Sequence, residues 1–98
     1  MLRCALLICA NDSRCQSVIH ALESEHEIWC VARQRDAIAW LNHHEPETVV
    51  IDFEMDLDAE SLLDAILLKS HGKAVVIGLQ VNRSILPETV LNSLDQIL

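Results

Sequence analysis

The chain has 98 residues, 51% of them hydrophobic and 22% charged, and only two glycines and two prolines interrupt them. That suffices for one core and no second, and it excludes disorder, collagen-like repeats and a glycine-rich phosphate cradle. Seven Lys and Arg against fifteen Asp and Glu give a formal charge of −8, which repels nucleic-acid phosphates and anionic membranes. No apolar run approaches the roughly 20 residues of a membrane span.

The elements alternate regularly. Residues 2–9 form a continuous apolar run of strand length. The run is followed by no small-x-small cleavage site, so it reads as a buried first strand and not as an export signal. Residues 13–26 place Cys15, Val18, Ile19 and Leu22 at the spacing of one helix face, with Asp12 or Ser13 as N-cap. A short strand over residues 28–32 contains Trp29 and Cys30. A second helix over residues 34–43 buries Ala37, Ile38, Trp40 and Leu41, and Pro46 closes the loop behind it. Trp29 and Trp40 are expected to pack together or at a rim.

Thr48-Val49-Val50-Ile51 is a β-branched run and hence a buried strand, ending at Asp52. Asp58 caps a third helix whose inner face is Leu62, Leu63, Ile66 and Leu67, and His71-Gly72 supplies its stop. Residues 74–79 form a fourth apolar strand. A last helix begins near Pro87 and runs to the end, burying Val90, Leu91, Leu94, Ile97 and Leu98. The four cysteines, Cys4, Cys9, Cys15 and Cys30, lack close metal-type pairing and are expected to be reduced, mostly buried thiols in the cytoplasm.

Strand and helix alternating four times predict right-handed crossovers and an α/β fold. The sheet is parallel, with four strands in the flavodoxin-like order 2-1-3-4 and helices on both faces. Residues 1–98 form a single domain in this reading. In such sheets chemistry lies beyond the carboxyl ends of the strands, where the winding reverses. Here that point falls between the first and third strands. It gathers Ala10, Asn11 and Asp12 from one strand end and Asp52, Phe53 and Glu54 from the other, with Leu79 and Gln80 alongside.

Leu6-Leu7-Ile8-Cys9-Ala10-Asn11-Asp12, Val49-Val50-Ile51-Asp52-Phe53-Glu54-Met55 and Leu57-Asp58-Ala59 together resemble a response-regulator receiver domain over about the first eighty residues. The resemblance puts Asp52 at the phosphoacceptor position and Met55 in the loop after it. It also implies departures. The receiver's Mg²⁺-binding acidic pair falls on Ala10 and Asn11, leaving Asp12 as the nearby carboxylate, and Mg²⁺ needs carboxylate oxygens. The receiver's Thr or Ser falls on Gly78, Leu79 or Gln80, none with a hydroxyl. Its fourth helix and fifth strand are expected to be missing, the last helix standing in the fifth-helix position or alternatively in the fourth, and its lysine is missing either way, since Lys69 and Lys73 lie at the wrong end of the sheet. Phosphoryl transfer relies on positioned cations, so the resemblance is to a degenerate receiver.

The resulting expectation is a non-enzymatic, cytoplasmic, phosphorylation-independent signalling module that acts by protein–protein contact, as part of a bacterial regulatory or transcription-regulating protein. Its partner is another protein or a second copy, with no direct nucleic acid, no membrane, no metal and no cofactor. One alternative is a receiver phosphorylated on Asp52, with weak Mg²⁺ binding between Asp12 and Asp52. Another rests on a weak similarity of Leu7-Ile8-Cys9-Ala10-Asn11-Asp12-Ser13 to the IIB proteins of the phosphotransferase system, which would make Cys9 a phosphocarrier. Asp52, Glu54, Asp56 and Asp58 lack the glycine of a calcium loop, and His43-His44 at a helix end needs no metal to explain it. A four-stranded sheet would leave the fourth strand as a poorly protected edge. Val75, Ile77, Leu79, Val81, Ile85, Leu86, Val90 and Leu91 are therefore expected to form one apolar interaction surface.

Overall fold

The computed structural model describes residues 3–9, 12–55 and 57–98, apart from the side chains of residues 12–14. Its elements run β1 (Arg3–Ile8), α1 (Asp12–Leu22), β2 (His26–Val31), α2 (Gln34–Leu41), β3 (Thr48–Asp52), α3 (Ala59–Lys69), β4 (Val75–Leu79), α4 (Glu88–Asn92) and β5 (Gln96–Ile97). All strand pairs are parallel, in the order β2-β1-β3-β4-β5. The expected 2-1-3-4 arrangement is present and extended by one strand.

The densest apolar runs become the central strands because only they are covered on both faces. Ala5, Leu6, Leu7 and Ile8 of β1 and Val49, Val50 and Ile51 of β3 are fully buried. Alternation along each strand then makes two cores. Leu6, Ile8, Val49, Ile51 and Val76 meet α2, α3 and α4 through Trp40, Leu62, Ile66 and Val90. Ala5, Leu7, Val50, Ile77 and Leu79 meet α1 through Val18, Ile19 and Leu22. Three helices thus share one face and α1 alone serves the other. Five strands at about 4.8 Å spacing are wider than one helix of about 10 Å. An apolar cleft of about 430 Å³ stays open beside α1, lined by Val18, Leu22, Ile77, Leu79 and Leu98 among others.

Local signals account for most boundaries. Asp58 caps α3 by accepting the Ser61 N–H at 3.2 Å. The other end of α3 closes as a Schellman turn. His71 takes the left-handed position (φ 55°), Gly72 follows at φ 73°, and the Gly72 N–H donates to the Leu67 carbonyl at 2.8 Å. Trp29 and Trp40 do pack together, with ring centroids 6.3 Å apart, and His44 stacks on Trp40 at 4.5 Å.

The end of the chain departs from expectation. The expected helix from Pro87 to Leu98 is instead the five-residue α4 followed by β5, so a fifth strand stands where none is expected. Ile97 and Leu98, assigned to a buried helix face, are exposed. Asp95 is the cause. Its N–H donates to the Val76 carbonyl at 2.8 Å, while its carboxylate accepts the Val76 N–H at 2.8 Å. This reciprocal pair sets residues 96–97 in register beside Ile77 and Gly78, and the Leu98 N–H adds a bond to the Gly78 carbonyl at 2.8 Å. The backbone groups of β4 are satisfied by sheet pairing, which a helix in that place would not offer.

Candidate functional site at the carboxyl ends of the strands

Asp52 is the last residue of β3 and is 1% exposed. By alternation it shares the α1 face with Val50, and in register it lies beside Leu79 of β4. Its Oδ1 accepts the Glu54 N–H at 3.0 Å, the strand-end arrangement by which an aspartate closes the turn that follows it. Its Oδ2 lies 3.7 Å from the Sγ of Cys9. Cys9 follows β1 directly, held there by its N–H to the Val31 carbonyl at 3.1 Å. Cys9, Asp52 and Leu79 thus stand in one row across β1, β3 and β4, and of the expected cluster Asp52 and Leu79 lie side by side. Ala10 and Asn11 lie outside the described residues, as does the side chain of Asp12.

The cysteines require a correction. Cys9 and Cys15 are joined as a disulfide, with Cα atoms 6.4 Å apart. Both are buried, but they are not reduced thiols. Cys30, on edge strand β2, is exposed, and Cys4 is half-buried. Burial pushes the Cys4 thiol above its ordinary range, helped by the carboxylates of Glu27 and Glu47. With its sulfur bonded to Cys15, Cys9 carries no thiolate here, and thiolate is the form a phosphocarrier would need.

Of the three residues expected at the hydroxyl position, Leu79 stands beside Asp52 on the α1 face, and Gly78 alternates to the opposite face with Ile51 and Val76. A Cβ on Gly78 would come within 2.7 Å of Val81 Cγ2, 3.0 Å of Leu94 Cδ1 and 3.2 Å of Phe53 Cε2. A side chain at Gly78 would have to displace these neighbours, so it is the close approach and not the backbone angles that favours glycine there. Gln80, one residue past β4, adopts a left-handed φ of 55°, a conformation uncommon outside glycine. It lines an open cleft of about 610 Å³ with Phe53, Glu54, Val81, Asn82, Arg83 and Ile85. Arg83 therefore stands at the rim of this end of the sheet, whereas Lys73 lies at the opposite end beside Arg3 and Thr48. Among the described residues no group of three or more His, Cys, Asp or Glu side chains could hold a metal ion.

The expected interaction surface is divided by the fold. Ile77 and Leu79 lie in the core under α1, while Val90 and Leu86 belong to the core on the other face. Val81 and Leu91 are half-buried. Only Val75, at 42%, and Ile85, at 76%, are well exposed. The premise fails because β5 covers the edge of β4. Sequence reasoning also missed Cys15 as a partner for Cys9, although its place on the inner face of α1, six residues later, was visible. Asp95 and Arg83 gave no local signal.

No family model matches the chain, and no curated protein matches it at a significant level. Solved structures do resemble it. The chemotaxis response regulator CheY4 of Vibrio cholerae superposes with a TM-score of 0.79 at 16% identity, covering 100% of this chain and 86% of that one. A two-component response regulator from Clostridium difficile gives 0.77 at 18% identity, covering 98% and 81%. The receiver domain of a sensor histidine kinase from Pseudomonas aeruginosa, solved with a magnesium ion in its active-site cleft, gives 0.72 at 21% identity, covering 100% and 84%. The architecture is the flavodoxin-like fold of response-regulator receiver domains.

Proposed function

We propose that this chain is a degenerate receiver module that signals through protein contact, in the cytoplasm, without phosphoryl transfer and without enzymatic activity of its own. The observation that carries the reading is the surroundings of Asp52. The carboxylate at the phosphoacceptor position is 1% exposed, bonded to its own turn and set against the sulfur of Cys9. Beside Asp52 in register, on the same face of the sheet, stands Leu79, whose side chain carries no hydroxyl. A phosphoryl group arriving there needs access as well as positive charge to neutralise its oxygens, and a carboxylate only 1% exposed offers little access.

The apolar cleft beside α1 supports protein contact. Its occupant in this reading is a partner protein and not a second copy, because two chains each carrying −8 repel one another. The test is intact-mass analysis after acetyl phosphate and Mg²⁺, run on both oxidised and reduced protein. No phosphorylated species is expected in either state. An aspartyl phosphate mapped to Asp52 would overturn the reading in favour of a working receiver. Sedimentation velocity at micromolar concentration should show a monomer, and a dimer would replace the partner by self-association.

A further inference from the structure

Residue alternation on β1 puts Cys9 on the same face as Leu7, under α1, while the first turns of α1 carry Cys15 down onto that face. Both side chains are buried, at 7% and 5% exposure. Their Cα separation of 6.4 Å lies within the range a disulfide spans, about 4.4–6.8 Å. The bond ties the residue after β1 to the first turns of α1.

The second observation is the carboxylate beside the pair. Cys9 Sγ sits 3.7 Å from Asp52 Oδ2, and the other oxygen of Asp52 is held by the Glu54 N–H at 3.0 Å. A thiol at Cys9 has a proton to donate to that carboxylate, and a disulfide sulfur has none. The redox state of the two sulfurs thus changes the polar contacts of the buried acid directly. Neither Cys4 nor Cys30 is placed this way: Cys4 lies at the other end of β1 and Cys30 on the β2 edge.

We propose that Cys9 and Cys15 form a reversible redox modification site, in which disulfide formation withdraws the thiol donor from Asp52 and reduction restores it. The oxidant is a small hydroperoxide. One thiolate attacks a peroxide oxygen, forming a sulfenic acid and releasing hydroxide, which takes up a proton to become water. The second thiol attacks that sulfur, forming the S–S bond and expelling the sulfenic oxygen as a second water. With hydrogen peroxide the sum is two thiols plus one peroxide giving one disulfide plus two waters. A dithiol reductant reverses it by thiol–disulfide exchange, becoming a disulfide itself. A transient, sensing disulfide of this kind is compatible with a reducing compartment.

The inference goes beyond the signalling reading and is tested without reference to any partner. Reduced protein is treated with hydrogen peroxide and then with dithiothreitol, and each cysteine is followed by differential alkylation and peptide mass. Cys9 and Cys15 should lose labelling together and regain it together, while Cys4 and Cys30 stay labelled throughout. In parallel, the Glu54 amide resonance should move between two positions with the cycle, and Asp52→Ala should abolish that movement. Cys15→Ser should hold the resonance at its reduced position in the presence of peroxide. Independent labelling of Cys9 and Cys15, or over-oxidation with no linked peptide, overturns the site. A linked pair with a stationary Glu54 resonance in the wild-type chain overturns its coupling to Asp52.

Discussion

Asp95 holds the one element the sequence does not announce, and replacing it tests why β5 exists. Its carboxylate accepts the N–H of Val76 at 2.8 Å, a residue 2% exposed. In Asp95→Ala that N–H loses an ionised acceptor within a buried strand, and the reciprocal bond to the Val76 carbonyl loses its companion. A hydrogen bond to a charged group contributes about 1.5–3 kcal/mol. Taking about 2 kcal/mol, and about 4–8 °C per kcal/mol for a domain of this size, the melting temperature should fall by about 8–16 °C. Asp95→Asn keeps an uncharged acceptor and should cost about half as much. Urea denaturation gives the free energy, and hydrogen exchange at Leu98, whose N–H bonds to Gly78 across the same pair of strands, reports the strand itself. A change below about 0.5 kcal/mol, the range of an ordinary surface substitution, with Leu98 protection intact, would show that β5 is held by something other than this pairing.

Two further outcomes follow from the geometry. Gly78→Thr places a side chain on the face of β4 away from Asp52, where its Cβ alone meets three side chains at 2.7–3.2 Å. It should destabilise the fold by about 1–3 kcal/mol through overpacking and confer no phosphorylation, as measured by denaturation and by intact mass after acetyl phosphate. The raised Cys4 pKa, caused first by burial and then by Glu27 and Glu47, favours the neutral thiol in the folded chain. Its contribution to stability is complete below the ordinary thiol value of 9.0 and is lost as pH climbs beyond it. Stability profiles of wild type and Cys4→Ala should therefore converge above pH 9.0; parallel profiles would contradict the assignment.

The sequence by itself determined the layers and the place of the candidate site. Fully apolar runs such as Val49-Val50-Ile51 are stable only when covered on both faces, and helix-spaced residues such as Leu62, Leu63 and Ile66 supply the cover. Alternation of the two, with right-handed crossovers, leaves little freedom in strand order, so the carboxyl ends of β1 and β3 were bound to meet at Asp52. These are properties of neighbours along the chain, and local pattern carries them. Tertiary structure decided what depends on residues far apart in sequence. Leu94, Ile97 and Leu98 are as compatible with a helix as with a strand, and the choice falls to the bond between Asp95 and Val76. The apolar residues of β4 look like an interaction surface until β5 covers the edge and alternation sends them into two separate cores. Cys9 and Cys15 lie close in sequence, yet their pairing beside Asp52 requires the helix to fold back over its own strand and a third strand to bring the carboxylate across. Hydrophobic periodicity records which way a side chain faces; it carries no information about what stands opposite, and at this site the partner fixes the chemistry.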